Sequence, residues 1–310
     1  MDQTNTFKSL SLAACLVLTA CGASETPQAS SVSKDVKTVS EASGSKSVNA
    51  SSVNARGEAL EISNSGDKWV SLFNGENLQG WQTFVSYQPK DSKYQDPDNL
   101  AVRGINNDPK HVFSVQDGLL RISGEEWGGI STIKEYENFH LKFDVKWGDK
   151  KWPPRENLPR DSGVLYFAVG EPSASMNHWM RSHEMQIQVG DSGDYHSLDG
   201  VLIDTHCGDA NDGDWHFYSY APDMPLCKDI ANRVLKLGEY ESPIGQWDTM
   251  EVIADNKVVI HKINGHEVFR AYHSRQVIDG KQVPLTKGKI EFQSEGAEVF
   301  YRNIRIKQNP

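Results

Sequence analysis

The chain is short of cysteine, of clustered positive charge, of helical periodicity and of long apolar runs. It has four cysteines in 310 residues, and only Cys207 and Cys227 lie beyond the first 21, so the folded part holds at most one bridge. Net charge is −10 at pH 7 and no basic cluster stands out, which sets nucleic acid aside as a partner. No convincing long amphipathic helix is present; Leu226–Leu237 is the one modest helical candidate. The apolar run near the start, Leu10–Leu18, falls far short of the roughly 20 residues that cross a bilayer.

That run has another use. Lys8 precedes it, and Leu18-Thr19-Ala20-Cys21 follows, with small residues before the cysteine. This is the layout of a bacterial lipoprotein signal, residues 1–21, with Cys21 as the lipidated residue. The expectation is an exported protein anchored to the bacterial envelope, at the outer membrane or the periplasmic face, without spanning the membrane. In an oxidising compartment Cys207 and Cys227 are expected to pair. A bridge closing a loop of that length contributes about 3 kcal/mol.

Residues 22–66 have no aromatic side chain and repeat Ser-Val-Asn-Ala at Ser47–Ala50 and Ser52–Ala55. Such a segment buries too little apolar surface to offset its ordering entropy and reads as a disordered tether. As a coil of about 45 residues it reaches roughly 35–40 Å.

From Asp67 the character changes, and all 8 tryptophans lie beyond it. Short alternating runs recur between turn signals: Leu119–Ser123, His140–Trp147, Gly163–Val169, Glu184–Val189, Met250–Ala254, Val258–Ile263 and Lys289–Gln293. Asn264-Gly265 marks a hairpin. The pattern predicts one all-β domain over 67–310, a jelly-roll sandwich of two antiparallel sheets. Ser86–Lys110 and Asp149–Arg160 are long polar segments of the kind that form functional loops.

Ser182–Val189 reads Ser-His-Glu-Met-Gln-Ile-Gln-Val. On a strand, Met185, Ile187 and Val189 share one face, and Glu184, Gln186 and Gln188 share the other. A carboxylate followed by two amides suits a polyhydroxylated ligand; a plain polar sheet face is the competing reading.

The segment Trp69–Trp81, Trp-Val-Ser-Leu-Phe-Asn-Gly-Glu-Asn-Leu-Gln-Gly-Trp, resembles the opening signature of the bacterial 3-keto-disaccharide hydrolase domain family. Ile133–Phe139, Asp161-Ser162-Gly163-Val164, Glu184-x-Gln186-Ile187, Gln246-Trp247-Asp248-Thr249 and Phe300–Ile306 resemble further pieces of that family in order. The resemblance spans Asp67 to Lys307. It implies a concanavalin-like sandwich that cleaves glycosides whose sugar is oxidised at carbon 3. Three positions depart from the family pattern. Asp161 stands for an Asn. Val189 stands where many members have Asp, with Asp191 two residues on. Gln293-Ser294-Glu295-Gly296 stands for Gln-x-His-Gly.

A conventional glycosidase needs two carboxyls at a set separation. Gln186 and Gln188 occupy the places where related glucanases carry acids, so Glu184 is the only acid on its strand, with Glu291 or Glu295 as second acids from elsewhere. A 3-keto sugar needs less: a base for the carbon 2 proton, a stabiliser for the enolate and a donor to the leaving group. Glu184 or His183 is the expected base, and Lys134, Arg302 or a metal the stabiliser. Gln186, Gln188, Gln293, Asp161 and Trp152 are expected to hold the carbohydrate. Trp127 and Trp179 are further stacking candidates.

No cofactor is fixed by these residues. A divalent metal, calcium or a transition metal, is the class a histidine and carboxylate set admits, with His178 and His196 as candidate ligands. Asp209–Asp214 lacks the EF-hand oxygen ligand where Gly213 stands and reads better as an Asx-rich turn. A non-catalytic carbohydrate-binding lipoprotein of the same fold is the alternative to an enzyme. Oligomeric state is silent in the sequence.

Overall fold

The computed structural model describes residues 68–87, 101–212, 215–255 and 257–308. Cys21 and the 22–66 segment lie outside the described residues, as does most of Ser86–Lys110.

Twenty-one strands make up the described chain. In order they are β1 (Val70–Ser71), β2 (Trp81–Tyr87), β3 (Ala101–Ile105), β4 (Phe113–Gln116), β5 (Leu119–Ile122), β6 (Trp127–Thr132) and β7 (Tyr136–Glu137). Then come β8 (Phe139–Lys151), β9 (Asp161–Val169), β10 (Arg181–Gln188), β11 (Tyr195–Leu198), β12 (Val201–Asp212), β13 (Trp215–Tyr220) and β14 (Leu226–Ile230). The last are β15 (Val234–Leu235), β16 (Asp248–Ala254), β17 (Val258–Ile263), β18 (His266–Ile278), β19 (Lys281–Pro284), β20 (Lys287–Ser294) and β21 (Ala297–Gln308).

They form the expected sandwich. The front sheet runs β3-β2-β6-β20-β9-β10-β11-β15-β13. The back sheet runs β4-β5-β21-β8-β16-β17-β18-β19, with β1 on β21. β12 joins the two through β18 and β13. The pairings are antiparallel except for β13 with β15.

Alternation explains the core. On β8, Phe139, Leu141, Phe143 and Val145 are buried while the residues between them are not. Phe143 of the back sheet meets Phe292 of the front sheet edge-on at 5.2 Å, and Tyr301 lies 4.7 Å from Phe292. Met185, Ile187 and Val164 complete this interior from the front sheet. At the hairpin between β17 and β18, Asn264 and Gly265 both have positive φ, 50° and 85°, as a tight turn of this hand requires.

One expected element is corrected. Leu226–Leu237 is not helical but forms β14 and β15. Leu226, Ile230, Val234 and Leu237 have helical spacing, but only Ile230 and Val234 are buried while Leu226 and Leu237 are exposed, so they do not form one buried face. Instead β14 pairs with β12, and the disulfide Cys207–Cys227, expected from the sequence, ties the two strands.

β10 departs from simple alternation, because Ser182–Gln188 are buried on both faces. The outer face of the front sheet is covered. The connection from β9 to β10 lays Trp179 and Met180 over Trp127, Leu165 and Leu198, a second apolar cluster outside the main core. Trp179 stacks on Trp127 at 5.7 Å and donates its Nε1–H to Gly128 O. The connection from β8 to β9 covers the neighbouring part. Trp152 anchors it by donating Nε1–H to Ser123 O and its backbone N–H to Gly296 O.

Candidate active site

Strand register places the polar side chains in rows. Glu184 on β10 lies opposite Leu165 on β9, which lies opposite Glu291 on β20; on the other side Glu184 lies opposite His196 on β11. In the next row Gln186 faces Gly163 of β9, and Gln293 faces Gly129 of β6. In the third, Gln188 faces Asp161. Glu295 follows β20 at the same end.

Glycine makes room for the middle row. A Cβ on Gly163 would stand 2.1 Å from Glu184 Oε1 and 2.5 Å from Gln293 Oε1, so both side chains lie directly over this backbone. A Cβ on Gly129 would likewise stand 1.8 Å from Glu291 Oε1. Any larger residue at either position pushes an acid off the face.

Arg155, from the β8–β9 connection, is the cation of this group and is only 4% exposed. It pairs with Asp161, donates Nη2–H to Gln188 Oε1 at 2.9 Å, and sets Nη1 3.5 Å from Glu295 Oε1. Gln293 hydrogen-bonds the Glu184 carboxyl. Asp161 and Glu295 thus share the Arg155 guanidinium within a covered site, and Glu184 lies within reach of both acids' charge.

Too little positive charge and too little water set their proton affinities. Burial, then the charge of Asp161, holds Glu184 well above the usual carboxylate range. Burial and Glu295 do the same to Asp161 against the pull of Arg155. Burial pushes Glu295 up to about 7, although Arg155 draws it down. Glu291 is pushed up to about 8 by burial. Burial, helped by Arg233, pushes His196 down to about 3, so its imidazole is neutral.

Buried polar atoms in folded proteins are paired, and an unpaired one costs about 1–3 kcal/mol. Asp161 Oδ1, Gln186 Oε1, Gln293 Oε1 and His196 Nε2 are buried without a protein partner. All belong to the outer-face rows. They are hydrogen-bonding capacity open to a polar ligand.

Residues 68–307 match the family model of the 3-keto-alpha-glucoside-1,2-lyase-like domain. The chain belongs to this family. A 3-keto-disaccharide hydrolase of Bacteroides thetaiotaomicron is 21% identical over 287 residues, covering 81% of each chain. Among solved structures, a candidate glycosyl hydrolase from Parabacteroides distasonis is 22% identical, covering 78% of this chain and 94% of that one, with a TM-score of 0.44. A beta-glucanase of Bacillus licheniformis is 11% identical, covering 80% of this chain and all (100%) of that one, with a TM-score of 0.39. Family membership makes this a carbohydrate-acting, glycosyl-hydrolase-like protein.

In this 3-keto-alpha-glucoside-1,2-lyase-like domain, Glu184, Gln186, Gln188, Gln293 and Asp161 come together on one face. Glu184 is the only acid on its strand, but it is not alone in the site, because Asp161 and Glu295 couple to it. Other expected site residues do not join them. His183 points the opposite way on β10, donating to or accepting from Tyr195 Oη at 2.8 Å and Ser274 Oγ at 2.7 Å, and it stacks on Tyr166 in the core. Strand alternation is the reason. Lys134 is exposed beyond the end of β6, its Nζ 5.5 Å from the Tyr136 ring centre. Arg302 belongs to the back sheet, paired with Asp144 at 3.1 Å over the Trp247 ring. Trp127 and Trp179 bury their faces against each other, and Trp152 serves the loop that carries Arg155.

His178 hydrogen-bonds Ser86 and packs on Trp127 and Trp179, with burial pushing it down to about 3. Among the described residues no group of three or more His, Cys, Asp or Glu side chains has metal-holding geometry. Asp209–Asp212 belong to β12 rather than to a turn. Arg155 escaped the sequence reading. The only signal was its place in the Asp149–Arg160 segment, since nothing local shows that this loop folds over β9 and β10.

Proposed function

We propose that the protein cleaves glycosides whose sugar carries a ketone at carbon 3, by elimination and then hydration. One observation carries this reading: Asp161, Glu184 and Glu295 are buried carboxyls that act on one another, and Arg155 pairs directly with two of them, Asp161 and Glu295. Carboxyls crowded in this way cannot all ionise near neutral pH, so the site holds an acid and a base side by side. Membership of the 3-keto-alpha-glucoside-1,2-lyase-like family supports a ketone at carbon 3 of the substrate.

In its ionised form Glu184, which burial makes a stronger base than an ordinary carboxylate, takes the proton from carbon 2. The freed electron pair forms the carbon 2–carbon 3 double bond, and the charge moves to the oxygen on carbon 3, where the Arg155 guanidinium stabilises it. The enolate reforms the ketone and expels the substituent on carbon 1, leaving a carbon 1–carbon 2 double bond. The departing oxygen takes its proton from Glu295, whose pKa of about 7 suits a donor at neutral pH. Water then adds, its hydroxyl to carbon 1 and its remaining proton to Glu295, which is restored as the acid, and Glu184 delivers a proton to carbon 2. Gln186 and Gln293 accept hydrogen bonds from sugar hydroxyls through their open Oε1 atoms.

The wild-type protein is expected to release the aglycone from a 3-keto-glucoside and to leave the unoxidised glucoside intact. Glu184→Gln should abolish release. The extra carboxyls favour a second reading, hydrolysis of ordinary glycosides by an acid pair. Cleavage of the unoxidised glucoside at a comparable rate would establish that reading instead. Binding of both sugars without turnover would mark a carbohydrate-binding module.

We also propose that Cys21 anchors the protein to the bacterial envelope. Labelled palmitate should enter the wild type and not Cys21→Ser; labelling of both would end that proposal.

A further inference from the structure

The three glutamines of the site are not equivalent. Gln186 and Gln293 each leave a buried carbonyl oxygen without a protein partner. Gln188 uses both ends of its amide within the protein. Its Oε1 accepts from Arg155 Nη2 at 2.9 Å, and its Nε2 donates to Asp191 Oδ2 at 2.5 Å. Asp191 in turn meets Arg233 Nη2 at 3.0 Å.

The turn carrying Asp191 is itself braced. Arg233 pairs with Asp194 through Nη2 at 2.5 Å and Nε at 2.8 Å. The Glu241 carboxylate accepts the backbone N–H groups of Gly190 and Ser192 at 3.2 and 3.0 Å. Lys236 donates to Gly190 O at 2.5 Å. The β10–β11 turn is therefore a fixed point from which Gln188 reaches toward the site.

Arg155 comes from the opposite direction, on an irregular connection, and the charged groups it meets are Asp161 and Glu295. A guanidinium between two acids can turn toward either. A third contact fixes its plane. A side-chain amide can accept from a cation at one end and donate to a carboxylate at the other. A glutamate at 188 would repel Asp191, and a lysine would repel Arg155.

We propose that Gln188 is a positioning residue rather than a sugar ligand: with Asp191 and Arg233 it forms a hydrogen-bonded strut that holds Arg155 where the enolate oxygen develops. The role given to Arg155 rests on the proposed 3-keto reaction; the strut itself does not.

The test uses the full chain with carbon-13-labelled Glu and Asp carboxyls. In Gln188→Met the Glu295 carboxyl should titrate higher than in the wild type, because the cation that draws it down is less firmly held. An unmoved Glu295 titration overturns the strut. Kinetics on a 3-keto-glucoside form the second arm. Gln188→Met should lower kcat at least about tenfold with KM within about threefold, the pattern of a lost transition-state contact. Asp191→Asn, which keeps an acceptor, should retain most of kcat, whereas Asp191→Ala should fall with Gln188→Met. A raised KM with kcat intact makes Gln188 a sugar ligand and ends the proposal. Should Gln188→Met not fold, Asp191→Ala carries both arms, its position being 35% exposed. If the wild type does not turn over the 3-keto-glucoside, the functional reading fails, and the carboxyl titration alone decides the strut.

Discussion

Gly163 has no side chain to contribute, yet the site depends on its lacking one. Glu184 and Gln293 both occupy the space over its backbone, where a Cβ would come within 2.1 and 2.5 Å of their oxygens. Gly163→Ala should lower turnover at least about tenfold, because a displaced base loses its alignment. The shift falls on the ends of side chains rather than on the core, so Tm should drop by only a few degrees. A variant with full activity would show that Glu184 does not work from this position. Glu291 supports a second expectation. Burial raises its pKa from 4.5 in the unfolded chain to about 8 in the folded one. The folded carboxyl keeps its proton across that window while the unfolded one has lost it. Its contribution to stability is therefore complete below the lower value and is lost as pH rises toward the upper one. Glu291→Gln carries no charge at any pH, so its Tm relative to wild type should rise between about pH 5 and about pH 8. A constant difference contradicts this. Glu184 and Gln186 were legible from strand alternation. The partnership of Glu184 with Asp161 and Glu295 was not, because it depends on which strands lie side by side.

At the scale of elements, alternation and turn chemistry located every strand read from the sequence, including the hairpin at Asn264-Gly265. These are local signals and survive without a partner. The misreading at Leu226–Leu237 has the opposite character, since β14 exists because β12 and a disulfide hold it. The side chains of β14, mostly exposed, give no strand alternation to read. Removing the bridge with paired Cys207→Ser and Cys227→Ser should cost about 3 kcal/mol in a denaturant titration. Turnover at room temperature should be unchanged, because neither β12 nor β14 carries a residue of the outer-face rows. A loss of activity without unfolding would tie this arm to the site. Of the two covering connections, the sequence by itself points to one. Asp149–Arg160 was singled out by its length. Residues 170–180, between β9 and β10, form a connection of similar length that no local signal marks, yet Trp179 and Met180 make it a wall of the site.

The whole domain joins a back sheet that alternates to a front sheet covered on both faces. Alternation alone predicts a solvated outer face, and so it suggested an open platform with tryptophans ready to stack on a sugar. Those tryptophans instead seal the periphery, and the polar rows between them are almost dry. Burial of this kind turns a set of ordinary acids and amides into groups with shifted proton affinities and unpaired acceptors. The fold class needed only periodicity. The site needed the pairing of β9 with β20, which are far apart in the chain, beside the neighbouring β10. The central claim is that reaction begins with loss of the proton on carbon 2. The most direct measurement is the rate of aglycone release from a 3-keto-glucoside carrying deuterium at carbon 2. The account predicts a rate several-fold below that of the protiated substrate, together with exchange of that position with solvent. Equal rates and retained label at carbon 2 of the released sugar would contradict it.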